Sequence, residues 1–166
     1  MRILFIGDIV GRPGRDIVCD ALPGLIVRER LDVVIANAEN AAGGSGLTPQ
    51  IYKDLVAAGV DGITLGDHVY RRREIHPVLE REANIVRPAN LPDEAVGRTW
   101  ASVPARNGKQ VGFCCVLGQL YMNPVDSPWR AVDRAFAEMP ADVKVRLIDI
   151  HVEATSEAQL LGRYLD

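Results

Sequence analysis

The sequence has no large charge excess of either sign, no long apolar run and no cysteine framework. Its 19 basic and 22 acidic residues leave a net charge of −3. That is no footprint for an extended nucleic-acid backbone, although a small anionic substrate stays compatible, because a local site can oppose the overall charge. The first apolar run, Ile3 to Ile6, meets Gly7 and Asp8 at once. It is too short for a signal-peptide core or a membrane span. The three cysteines, Cys19, Cys114 and Cys115, form an odd set. Cys114 and Cys115 are neighbours in an apolar run, where strand alternation points them to opposite faces. All three read as reduced core or near-core thiols, and a cytoplasmic location is the expectation that follows. Repeats, low-complexity tracts and interdomain linkers are also missing. A length of 166 residues, 48% apolar and 25% charged, fits one globular domain that buries roughly two-thirds of its unfolded surface.

What is present is an alternation of short β-rich runs with helical ones. Arg2 to Gly7 reads as a buried strand. Pro13 opens a helix towards Arg30, since its missing N–H costs nothing in a first turn, with an interruption expected at Pro23. Asp32 to Ala38 is a second strand. Thr48-Pro49 starts a helix whose Ile51, Tyr52, Leu55 and Val56 recur at helical spacing up to Gly59. A strand over Gly62 to Leu65, a helix near Arg72 to Glu82, an extended piece at Ile85-Val86 and a strand over Gln110 to Leu117 follow. The chain then gives a helix from Ser127 to about Met139, a strand over Val143 to His151 and a last helix over Ser156 to Leu165. This alternation predicts a mostly parallel sheet covered on both faces.

In such sheets functional groups gather beyond the carboxyl ends of the strands. The predicted strand ends carry Gly7-Asp8, Glu39-Asn40, Gly66-Asp67-His68 and His151. Singly, each has an ordinary explanation as a cap, a turn residue or a hydrogen-bonded histidine. Together they place carboxylates, an amide and imidazoles at one sheet edge, a donor mixture suited to divalent manganese, iron or zinc. A carboxylate such as Glu39 can bridge two ions, and two ions about 3.5–4 Å apart can clamp a phosphoryl group. A nucleotide-binding or noncatalytic α/β domain is the alternative at this stage. Gly43-Gly44-Ser45-Gly46 lacks the Walker lysine and the dinucleotide fingerprint, and reads as a flexible turn near the site. His76 reads as structural. Arg12, Arg15 and Arg87 read as solvated rather than phosphate-bound, and Tyr70 with Arg71 to Arg73 as a solvated face.

Five ordered blocks, MRILFIGDIVGRPGR, VVIANAENAAGGSGLT, ITLGDHVY, IVRPANLP and IDIHVEATSEAQLLGRYLD, resemble those of the bacterial YmdB-like metallophosphoesterases. The resemblance spans nearly the whole chain. It implies one metallophosphoesterase domain over residues 1–166, with a calcineurin-like α/β/β/α sandwich that is C-terminally incomplete. It implies two divalent metal ions (manganese, iron or zinc) and hydrolysis of small phosphodiesters, such as 2′,3′-cyclic nucleotides, by metal-bound hydroxide. Asp8, Glu39, Asn40, Asp67 and His151 are then the expected metal ligands, with Glu39 bridging. His68 is the expected general acid. Asp67 stands where the family usually has Asn. The family also continues into a GTHTH-like motif whose two histidines complete the metal sites. The 166 residues alone are therefore expected to hold metal weakly and show little or no turnover, and an uncovered sheet edge invites a homo-oligomer or the missing segment. A catalytically impaired binding or assembly module on the same fold is the rival expectation.

Overall fold

The structure, a computed structural model, describes all 166 residues. Four parallel strands form one sheet in the order β1 (Ile3–Ile6), β2 (Val33–Asn37), β3 (Gly62–Thr64), β4 (Ile85–Val86). A second sheet holds β5 (Trp100–Pro104), β6 (Gln110–Leu117) and β7 (Val145–His151). In it β5 runs antiparallel to β6, and β6 parallel to β7. The helices are α1 (Gly11–Glu29), α2 (Pro49–Ala58), α3 (His76–Arg81), α4 (Pro128–Glu138) and α5 (Thr155–Leu165).

Strand parity explains the layering, since successive side chains alternate between faces. On β2, Val34 and Ala36 pack with Leu22 of α1, Leu55 of α2 and Leu79 of α3. Val33 and Ile35 point the other way and meet Val111, Phe113 and Cys115 of β6, with Val145 and Leu147 of β7 against them. The outer face of the second sheet, through Val116, Ile148 and Ile150, packs on Ala131 and Val132 of α4 and Leu161 of α5. The result is four layers, α/β/β/α, as the resemblance implies. The residue pattern alone predicts one sheet with helices on both faces; instead each sheet has helices on one face and the other sheet on the other. Cys114 and Cys115 do lie on opposite faces, one towards α4 and one between the sheets.

Two further expectations are corrected. The helix α1 continues through Pro23, which is exposed, so solvent can take the carbonyl that the proline ring leaves without a donor. The strand β5 has no counterpart in the predicted elements, because Trp100-Ala101-Ser102-Val103-Pro104 carries only weak β signals and ends in proline. No helix is long and apolar enough to cross a membrane.

Candidate metal centre

The carboxyl ends of both sheets meet at one place. Asp8 lies two residues beyond β1, Glu39 two beyond β2 and Asp67 three beyond β3, while His151 is the last residue of β7. Backbone bonds hold these strand-end loops side by side. Ile9 N–H donates to the Asn37 carbonyl at 3.0 Å, Ala38 N–H to Thr64 at 3.1 Å and Gly11 N–H to Asn40 at 2.9 Å.

All six residues expected at the site fall in one continuous network. The His151 Nδ1 lies 2.8 Å from Glu39 Oε1, and its Nε2 3.4 Å from Asp67 Oδ1. The other Asp67 oxygen is 3.7 Å from His68 Nε2. His68 Nδ1 is 2.6 Å from Asn40 Oδ1. The Asn40 amide donates to both Asp8 oxygens at 3.0 Å and to Glu39 Oε1 at 3.4 Å. With its NH2 group turned to carboxylates, Asn40 presents only its oxygen to His68, so Nδ1 is the donor in that contact and Nε2 faces Asp67. Burial is graded: Glu39 is fully buried, while the side chains of Asp67, His68 and His151 are 28–29% exposed.

The donor set fits a divalent cation. Glu39 Oε2 is buried and has no hydrogen-bond partner, although a buried ionised carboxylate is costly unless compensated. It lies against Gly66, where any Cβ would overlap the carboxylate. Only glycine at this position leaves room for the acidic group in the floor of the site. Ligand atoms of Glu39, Asp67 and His151 lie within 4.8 Å of one another. Three acidic side chains, Asp8, Glu39 and Asp67, share this network with two imidazoles, and no arginine or lysine joins them there. The His151 pKa is raised, chiefly by its hydrogen bond to Glu39, against the opposing effect of burial.

Other expectations around the site change. The glycine turn and the residues before it accept hydrogen bonds from two arginines: Arg72 donates to the Ala42 and Ser45 carbonyls and Arg15 to the Ala41 carbonyl. Arg87 is not a solvated cation. It is 2% exposed and donates to the carbonyls of Pro88 and Ala95. Tyr70 is not part of a solvated face, since its hydroxyl donates to the Val96 carbonyl at 2.6 Å and its ring meets His76 edge-on. Arg12 is exposed and pairs with Asp16. Three further residues stand beside the site. Asn37, Thr64 and Asp149 each interrupt an apolar strand with a polar side chain, a signal that becomes informative only once strand parity is known.

Comparison with known proteins agrees with this arrangement. The chain is 42% identical over its full length to the 2′,3′-cyclic-nucleotide 2′-phosphodiesterase of Bacillus subtilis, of which it spans 62%. It superposes with a TM-score of 0.91 on the crystal structure of a Thermus thermophilus protein, at 43% identity, covering all of this chain and 64% of that one. A phosphatase of Mycoplasma pneumoniae gives a TM-score of 0.87 at 27% identity, covering 99% of this chain and 59% of the other. The chain thus spans about three-fifths of the length of these relatives. A family model described as YmdB-like protein matches residues 4–166, and the chain belongs to that family.

Proposed function

We propose that the chain is the metallophosphoesterase domain of a metal-dependent phosphodiesterase acting on small phosphodiesters, 2′,3′-cyclic nucleotides among them. The observation that carries the reading is the fully buried, half-unpartnered Glu39 carboxylate at the centre of a cluster of acids and imidazoles. The name of the Bacillus subtilis relative supplies the substrate class. Asp8, Glu39, Asn40, Asp67 and His151 would hold two divalent ions, manganese, iron or zinc, with Glu39 shared between them. Bound ions supply Lewis acidity, drawing charge from a phosphoryl oxygen and acidifying water.

The protein's own residues do the rest. Glu39 cannot swing away, because Gly66 and the surrounding core enclose it. Asn40 fixes the His68 ring through Nδ1, so Nε2 is the atom that, in the doubly protonated ring, would give its proton to the departing ribose oxygen and leave the neutral Nδ1–H imidazole. The partial exposure of His68 lets a substrate reach that nitrogen. Asp67, beside both imidazoles, orients His68 and His151 towards one centre.

The test is hydrolysis of a chromogenic phosphodiester and of a 2′,3′-cyclic nucleotide with and without added Mn²⁺. The expected outcome is metal-dependent turnover, lowered about 10²–10³-fold by His68→Ala and lost in Glu39→Gln. Turnover indifferent to metal and to both substitutions would contradict the proposal.

A further inference from the structure

Directly beneath the site lies a polar contact that joins the two sheets. Asp149 is on β7, two residues before His151, and therefore on the same strand face. One of its oxygens, Oδ2, accepts from Asn37 Nδ2 at 2.8 Å and from Thr64 Oγ1 at 2.6 Å. Asn37 is 5% exposed and Thr64 fully buried. Asn37 also uses its own Oδ1 to accept the Glu39 backbone N–H at 3.1 Å. The three residues form a rung one step below Glu39, Gly66 and His151: Asn37 precedes Glu39 by two positions, Thr64 precedes Gly66 by two, and Asp149 precedes His151 by two.

Below this rung the sheets are joined by Val33, Ile35, Val111, Phe113 and Leu147. Such apolar contacts hold sheets together but are non-directional, so they do not fix how far one sheet slides on the other. The site is sensitive to that slide, because Glu39 and Asp67 come from one sheet and His151 from the other. Two directional hydrogen bonds onto one carboxylate oxygen, from two adjacent strands, fix it at the level where it matters.

We infer that Asp149, through Asn37 and Thr64, is a positioning residue that locks the two sheets in the register needed for His151 to complete a cation site with Glu39 and Asp67. The inference rests on the metal-dependent reading above. The role is one of positioning, since Asp149 Oδ2 is engaged by two donors from the facing sheet.

Mn²⁺ titration of the chain, followed by electron paramagnetic resonance of the free ion, tests it with three variants whose folding is checked by circular dichroism. Asp149→Ala removes both bonds and should weaken Mn²⁺ binding about tenfold or more, the usual effect of losing an outer-shell partner. Leu147→Ala, on the same face two residues earlier, trims the inter-sheet core without touching the rung, and should leave affinity within about threefold of the parent. Asp149→Asn keeps an acceptor oxygen and should recover most of the parent affinity. Equal affinity in Asp149→Ala and parent, or equal losses in Leu147→Ala and Asp149→Ala, would overturn the inference. A loss in Asp149→Asn as large as in Asp149→Ala would also overturn it, since charge rather than hydrogen bonding would then be responsible. A parent that binds no Mn²⁺ would instead overturn the metal reading on which it rests.

Discussion

At the scale of single residues, the account turns on Glu39 and on what its neighbours do about its charge. A carboxylate that serves two cations loses more on neutralisation than one that serves a single cation. Glu39→Gln should therefore lower Mn²⁺ affinity more than tenfold, whereas Asp67→Asn, which retains an oxygen donor, should stay within about threefold and leave hydrolysis unchanged or improved. Isothermal titration of both variants checks this, and equal losses would contradict the proposal that Glu39 bridges two ions. A second consequence concerns protonation. The pKa of His151 is raised because its Nδ1–H donates a hydrogen bond to Glu39, and the charges of Glu39, Asp67 and Asp149 add to the effect, against the opposing effect of burial. In the metal-free chain this contact stabilises the fold fully below the ordinary imidazole value, and that contribution fades as pH rises through the raised one. An NMR titration of the His151 ring should place its midpoint above the ordinary value of about 6.5. In Glu39→Gln the midpoint should move down, since the largest cause is gone; an unchanged midpoint would count against the contact. Saturating Zn²⁺ should remove the titration altogether.

At the scale of elements, the site is a product of strand endings and the loops that follow them. Asp8, Glu39, Asp67 and His151 were legible because each follows an apolar run in a chain that alternates strand and helix, and such runs end at one edge. The rung of Asn37, Thr64 and Asp149 was not legible, because the face on which a polar residue falls depends on which sheet stacks on which. That stacking in turn depends on β5, whose short Trp-to-Pro segment gives little β signal, and on β6 and β7 leaving the first sheet. Pro23 misled for a different reason: a proline on the exposed side of a helix breaks less than one facing the core. A buried acid also organises the second sheet's end. Glu157, 4% exposed on α5, accepts the N–H groups of Gln119 and Leu120 at 2.9 and 3.1 Å. The next bond along, from Gly118 N–H, reaches the His151 carbonyl. Glu157→Ala leaves those amides unpaired and should cost about 3 kcal/mol of stability, from two hydrogen bonds to a charged acceptor. Urea unfolding measures it, and a loss under about 1 kcal/mol would show that the clamp matters little.

At the scale of the whole molecule, two sheets brought face to face gather the carboxylates of Asp8, Glu39 and Asp67 at one end. A cation bound among them binds the folded chain and not the unfolded one, so it should stabilise the fold. Mn²⁺ at about a hundred times its dissociation constant should add roughly 2.7 kcal/mol, or a rise of about 5–10 °C in Tm for a chain of this size. The rise should vanish in Glu39→Gln. The most direct test of the central claim is anomalous X-ray scattering from crystals grown with Mn²⁺, recorded on either side of the manganese absorption edge. The account predicts anomalous density within bonding distance of Glu39, with Asp67, His151 or Asp8 completing the coordination and the Glu39–His151 hydrogen bond opened. Crystals at saturating Mn²⁺ that show no anomalous density there, with that hydrogen bond intact, would contradict it.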